Sequence, residues 1–142
     1  MLNLKFMRLR SFLIVAIIPV IFGTLSCKKE NSNPSYQIAG LWEGTYVFKS
    51  QPPLYFSFTI YPDGSLSYKS KGDNGYTFYA VGSWELNGST FTYDVTTTNN
   101  PGGIEVDQTG TATYQNNGTL SNGVNTDVAT GESGTFSMTR VN

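Results

Sequence analysis

From Ile38 to the C-terminus the chain alternates: apolar and polar residues exchange at nearly every step, and no window carries the period of a helix. A period of two puts successive side chains on opposite faces of a strand, so such a chain buries one face and wets the other. Turn residues cut the alternation at short intervals, which leaves antiparallel neighbours joined by tight connections as the natural arrangement. Trp42, Gly44, Tyr46 and Phe48 share one face of a first strand, with Glu43, Thr45 and Lys49 opposite. Leu54, Phe56, Phe58 and Ile60 line a second. Pro62-Asp63-Gly64 then turns the chain, since Pro presets φ and Gly accepts positive φ.

Leu66 and Tyr68 mark a third strand, ending near Lys71-Gly72-Asp73-Asn74-Gly75; Tyr76, Phe78, Ala80, Gly82 and Trp84 line a fourth. Asn87-Gly88 predicts a hairpin turn into Phe91, Tyr93 and Val95. After a loop over 97–103, Ile104, Val106, Gln108, Gly110, Ala112 and Tyr114 alternate on a sixth strand. A seventh is expected near 119–124 in a stretch rich in Gly and Asn. Phe136, Met138 and Arg140 share a face of the last. The fold class expected is therefore all-β: an eight-stranded antiparallel up-and-down β-barrel, closed so that no edge is left unpaired. A β-sandwich is the alternative.

Ahead of this domain lies a leader. Lys5, Arg8 and Arg10 form a basic region, 11–23 is almost wholly apolar, and Thr24-Leu25-Ser26 leads to Cys27, the only cysteine. The apolar stretch is short of the ~20 residues that cross a bilayer, and it contains Pro19. A thiol just after a small residue suits lipoprotein processing, with Cys27 as the lipidation site. Thr24 and Ser26 would also suit ordinary secretion, but that would leave an unpaired thiol exposed. Cys27-Lys28-Lys29-Glu30 resembles the start of many Gram-negative outer-membrane lipoproteins. That resemblance implies an outer-membrane lipoprotein, on the periplasmic or cell-surface side. The organisation expected is a signal peptide over 1–26, a lipidated flexible tether over 27–37 and a β-barrel domain over 38–142.

Composition removes several kinds of chemistry. There is no His, and Cys27 is committed to lipid, so Ser-His-Asp and Cys-His mechanisms lack their base and zinc lacks its favoured ligands. The acids stand in turns (Asp63, Asp73) or on polar faces (Glu43, Glu85, Glu105, Asp107) rather than as a converging pair. Asp73-Asn74-Gly75 reads as a turn, not a calcium loop. Beyond residue 26 six basic residues face ten acidic ones, with no basic run, so nucleic acid has no electrostatic footprint. Neither a catalytic site nor a cofactor is expected. Stability must come from packing, to which nine Tyr and two Trp contribute large areas.

Gly40-Leu41-Trp42 opens the first strand, and Arg140 closes the last on the apolar face. An inward guanidinium is costly to bury unless it lies over the indole and donates to backbone carbonyls. A Gly-x-Trp at the start and an Arg at the end of a β-meander resemble the calycin superfamily, in which lipocalins use this pair to plug the closed end of the barrel. More narrowly, GLWEG, GSWEL and GTFSMTR look like the short lipocalin-like domains of bacterial lipoproteins, over residues 38–142. The domain is shorter than a typical lipocalin, and the Thr-Asp-Tyr motif of that family is missing. The resemblance implies Gly40, Trp42 and Arg140 as the barrel floor.

The inward residues Tyr46, Phe56, Phe58, Tyr68, Phe78, Trp84 and Tyr93, with Gln108 as an orienting polar group, are the expected ligand-binding set for a small hydrophobic molecule such as an acyl chain. The competing expectation is that these rings fill the lumen themselves, meeting the small residues Gly44, Ala80, Gly82, Gly110 and Ala112. Tyr55 and Tyr79, out of phase with the core, are candidates for a surface aromatic patch facing a glycan or protein partner.

Overall fold

The computed structural model describes residues 37–100 and 102–142; the leader, Cys27 and the tether as far as residue 36 lie outside the described residues. Eight strands follow one another: β1 (Gly40–Phe48), β2 (Leu54–Ile60), β3 (Ser65–Lys71), β4 (Thr77–Asn87), β5 (Thr90–Thr97), β6 (Asp107–Gln115), β7 (Thr119–Asp127) and β8 (Ser133–Arg140). Each pairs antiparallel with the next, and β1 pairs with β8 from Trp42↔Arg140 to Phe48↔Gly134, closing the barrel. The sandwich alternative is excluded by that closure. Because the meander is strictly up and down, the start of every odd strand and the end of every even strand share one end, the floor. The opposite end is the mouth.

The alternation places the core as expected. Trp42, Phe56, Phe58, Ile60, Leu66, Tyr68, Ala80, Trp84, Phe91, Tyr93, Val95, Ala112, Phe136 and Met138 are all buried. Two of the small inward residues bend strands. A Cβ at Gly44 would run into the backbone of Ser137–Met138, and one at Gly82 into that of Asp94–Val95. Only glycine lets β1 and β4 press so closely on their neighbours, which supplies the curvature a closed barrel needs. Each bend lies one inward step toward the mouth from a tryptophan, Gly44 from Trp42 and Gly82 from Trp84.

Four expectations are corrected. The β4–β5 turn is Gly88-Ser89, not Asn87-Gly88: Asn87 still pairs with Thr90, and only Gly88 takes a positive φ (61°), the type II′ pattern. Strand β6 starts at Asp107, leaving Ile104 66% exposed on the preceding loop. Lys49 has left β1 and turns the chain with φ of 54°. Strand β7 runs on to Asp127 and contains a bulge between Leu120 and Gly123, where Asn122 takes φ of 53°. An extra residue at a bulge reverses the phase of alternation. Leu120 points inward before it, and Gly123 and Asn125 are buried after it.

Candidate functional site

At the floor, the backbone of Gln37–Ala39 crosses the barrel end and is held by side chains from inside and around it. Trp42 Nε1 donates to Ile38 O at 2.8 Å, and Ile38 is itself fully buried. Arg140 donates from Nη1 to Gln37 O at 3.0 Å and from Nη2 to Ala39 O. The Tyr114 hydroxyl reaches Gln37 O at 3.4 Å, and its ring meets Trp42 edge-on. Gly40, at φ of 137°, keeps this site open, since a Cβ there would lie 3.2 Å from Arg140 Nε. Gly40, Trp42 and Arg140 thus meet as expected, with two corrections. Arg140 is exposed rather than buried, and its head is spent on the carbonyls. Among the described residues the cation–π contacts are those of Lys49 and Lys69, not of Arg140. Gln37, assigned to the tether, is bound into the floor. Trp84 seals the same end, donating to Tyr61 O at 2.9 Å.

The middle of the lumen is filled. Phe58 meets Tyr93 at 5.0 Å and Phe136 at 5.7 Å between ring centres, mostly edge to face, and Phe56 meets Phe58 at 4.9 Å. Small residues here receive rings instead of opening space. A Cβ at Gly110 would collide with the Tyr93 ring, one at Gly123 with Phe136, and one at Gly134 with Tyr46. Phe58 and Trp84, expected among ligand-binding residues, therefore belong to this packed layer and to the floor.

Above this layer, at the mouth, lies a cavity of about 280 Å³. Tyr46, Phe48, Leu54, Phe56 and Phe78 wall it, and Tyr68, Gln108, Thr97 and Asn125 bring polar atoms to it. Five of the eight expected ligand-binding residues (Tyr46, Phe56, Tyr68, Phe78 and Gln108) thus come together; Tyr93 stands behind the wall. Asn125 is the residue that sequence reasoning missed. Counting from Leu120 by twos points it outward, and only the bulge at Asn122 turns it in. The dipeptide Asn122-Gly123, a turn signal inside a strand, was the available clue.

The polar groups form two chains. The Tyr68 hydroxyl donates to Gln108 Oε1 at 2.6 Å, with the Ser70 side chain beside the same phenol. The Tyr93 hydroxyl donates to Asn125 Oδ1 at 2.6 Å, with the Asn125 amide beside the Tyr46 phenol. Burial pushes all three phenols above their usual value of 10, Tyr93 furthest. Mutual repulsion of phenolates adds to the rise at Tyr68 and Tyr93, and Glu132 and Asp127 add to it at Tyr46. They stay neutral donors at any physiological pH. The rim is acidic, with Asp73, Asp127 and Glu132 against Lys71; Lys49 pairs with Glu132 at the surface beside it.

On the outer face, Lys69 stands between Tyr55 and Tyr79, 5.9 Å from each ring centre, and Tyr55 donates to Glu43 at 2.8 Å. The two tyrosines are thus brought together as a patch across β2–β4. Among the described residues no group of three or more acidic, His or Cys side chains is placed to hold a metal ion. Compared with protein-family models, curated proteins and solved structures, the chain finds no match. What the fold and the site define is an eight-stranded up-and-down barrel sealed at one end and hollow at the other.

Proposed function

We propose that the protein is an outer-membrane lipoprotein, anchored through Cys27, whose lipocalin-like barrel binds a small hydrophobic ligand without catalysis. The observation that carries the binding role is the cavity at the mouth, walled by aromatic rings and ending on a few polar groups, the usual build of a small-molecule site. Its size and its floor of Phe56 and packed rings favour a compact ligand over an acyl chain threading the whole lumen. The seal of Gly40, Trp42 and Arg140 supports the lipocalin-like reading, because it joins the two chain ends at the floor as that resemblance implies. The described chain enters the barrel at Gln37, on the floor, the end opposite the mouth.

The test is a titration of the full chain in detergent with prodan, a neutral fluorescent naphthalene ketone, micelles alone being subtracted. Saturable binding that Phe78→Trp weakens is expected. Binding that never saturates, or that ignores this substitution, would leave the outer face as the working surface. That second reading, an interaction module for a glycan or protein partner, is favoured by the Tyr55–Lys69–Tyr79 cluster.

A further inference from the structure

The two hydrogen-bond chains at the cavity run in the same sense. A phenol that must stay protonated in a dry site gives its proton to the best acceptor within reach, and here each acceptor is an amide oxygen: Gln108 Oε1 for Tyr68 and Asn125 Oδ1 for Tyr93. With its oxygen occupied, each amide has only its NH2 group left to offer. Asn125, 4% exposed, holds that group beside Tyr46, and among the described residues no protein group accepts the Tyr46 proton. Gln108 is only half-buried and lines the cavity, and among the described residues its Nε2 donates to no protein group. One group therefore comprises Ser70, Tyr68 and Gln108 and the other Tyr93, Asn125 and Tyr46, and each leaves a donor unspent on a residue that lines the cavity, Gln108 or Tyr46. Hydrogen bonds in series polarise one another, which strengthens the terminal donor.

Charge narrows the ligand further. An anion would satisfy two donors well, but it must pass Asp73, Asp127 and Glu132, which outnumber Lys71 and the Lys49 paired with Glu132, and the charges of Glu132 and Asp127 reach as far as Tyr46. A cation would suit that rim but would meet donors at the base. From these arrangements we infer that the cavity selects a neutral ligand that presents a carbonyl-type acceptor to Gln108 Nε2 and the Tyr46 hydroxyl, with an apolar or aromatic body between Phe48, Leu54 and Phe78. This inference rests on the binding role proposed above and adds the polarity of the ligand. Discrimination against a molecule of the same shape without the acceptor follows because two desolvated donors would then be left unpaired.

The experiment displaces prodan from the full chain with three compounds of one shape: acetylnaphthalene, isopropylnaphthalene and naphthoate. Acetylnaphthalene is expected to compete about tenfold better than either of the others. Gln108→Glu, which keeps the acceptor for Tyr68 and replaces the donor by a carboxylate, should abolish that preference, so that acetylnaphthalene competes no better than isopropylnaphthalene in the variant. Asn125→Asp should act in the same direction; should it fail to fold, the half-buried Gln108 site carries the test alone. Equal competition by the ketone and the hydrocarbon in the wild type would overturn the inference and leave the binding role standing. Tightest binding by naphthoate would also overturn it, in favour of anion selection. An absence of saturable prodan binding would remove both.

Discussion

The two ends of this barrel are built from the same eight strands and finish in opposite ways. At the floor the three carbonyls of the chain crossing each find a side chain: Ile38 O takes the Trp42 indole, and Gln37 O and Ala39 O take Arg140. At the mouth the polar groups satisfy one another only in part, and Gln108 and Tyr46 line a cavity with donors that no acceptor among the described residues takes up. Sealing an end requires donors placed over carbonyls, whereas holding it open requires that the last donor of each series lack an acceptor. The difference separates residues that pack and seal the barrel from residues that line a cavity, although both sets include inward-facing aromatics.

The sharpest way to break this comparison is to empty each end in turn. Trp42→Ala removes a fully buried indole and its bond to Ile38 O, and should destabilise by about 3–5 kcal/mol in urea denaturation. Phe78→Ala, at the half-buried wall of the mouth, should lose no more than about 1 kcal/mol. Similar losses at both ends would mean that the mouth is a structural layer too.

Alkali probes the mouth side next. Tyr46, Tyr68 and Tyr93 titrate above 10 in the folded chain, so above pH 10 the unfolded chain releases protons that the folded one keeps. Their stabilising contribution is complete below that pH and is lost as pH rises through the folded values, by up to about 1.4 kcal/mol per phenol for each pH unit. Tyrosinate absorbance should rise cooperatively with unfolding, and Tyr93→Phe should move the transition to higher pH. Trp42 and Trp84 both report from the floor. If their emission changes only at higher pH than the tyrosinate signal, the mouth opens first; coincident transitions would show the two ends unfolding as one unit.

Arg140→Ala should cost less than Trp42→Ala. It strips two carbonyls of their donor at a partly wetted site, for about 1–2 kcal/mol, and should leave prodan binding unchanged. A loss of binding at intact stability would place the floor in the site.

The alternation of Leu54, Phe56, Phe58 and Ile60, and of Phe91, Tyr93 and Val95, was enough to name the core face of β2 and β5, because a period of two admits only one buried face. The pairing of the first and last strands was legible too, since Gly40, Trp42 and Arg140 make sense only together. Two things were not. Whether the inward rings enclose a ligand or fill the lumen depends on which glycine each ring meets, and Tyr93 over Gly110 or Phe136 over Gly123 are neighbours across strands, distant in sequence. The site residue Asn125 depends on a single extra residue at Asn122 that reverses the phase of β7. Local periodicity determined which residues are inside this protein; only the register between strands, which no local pattern encodes, decided where the inside is solid and where it is hollow.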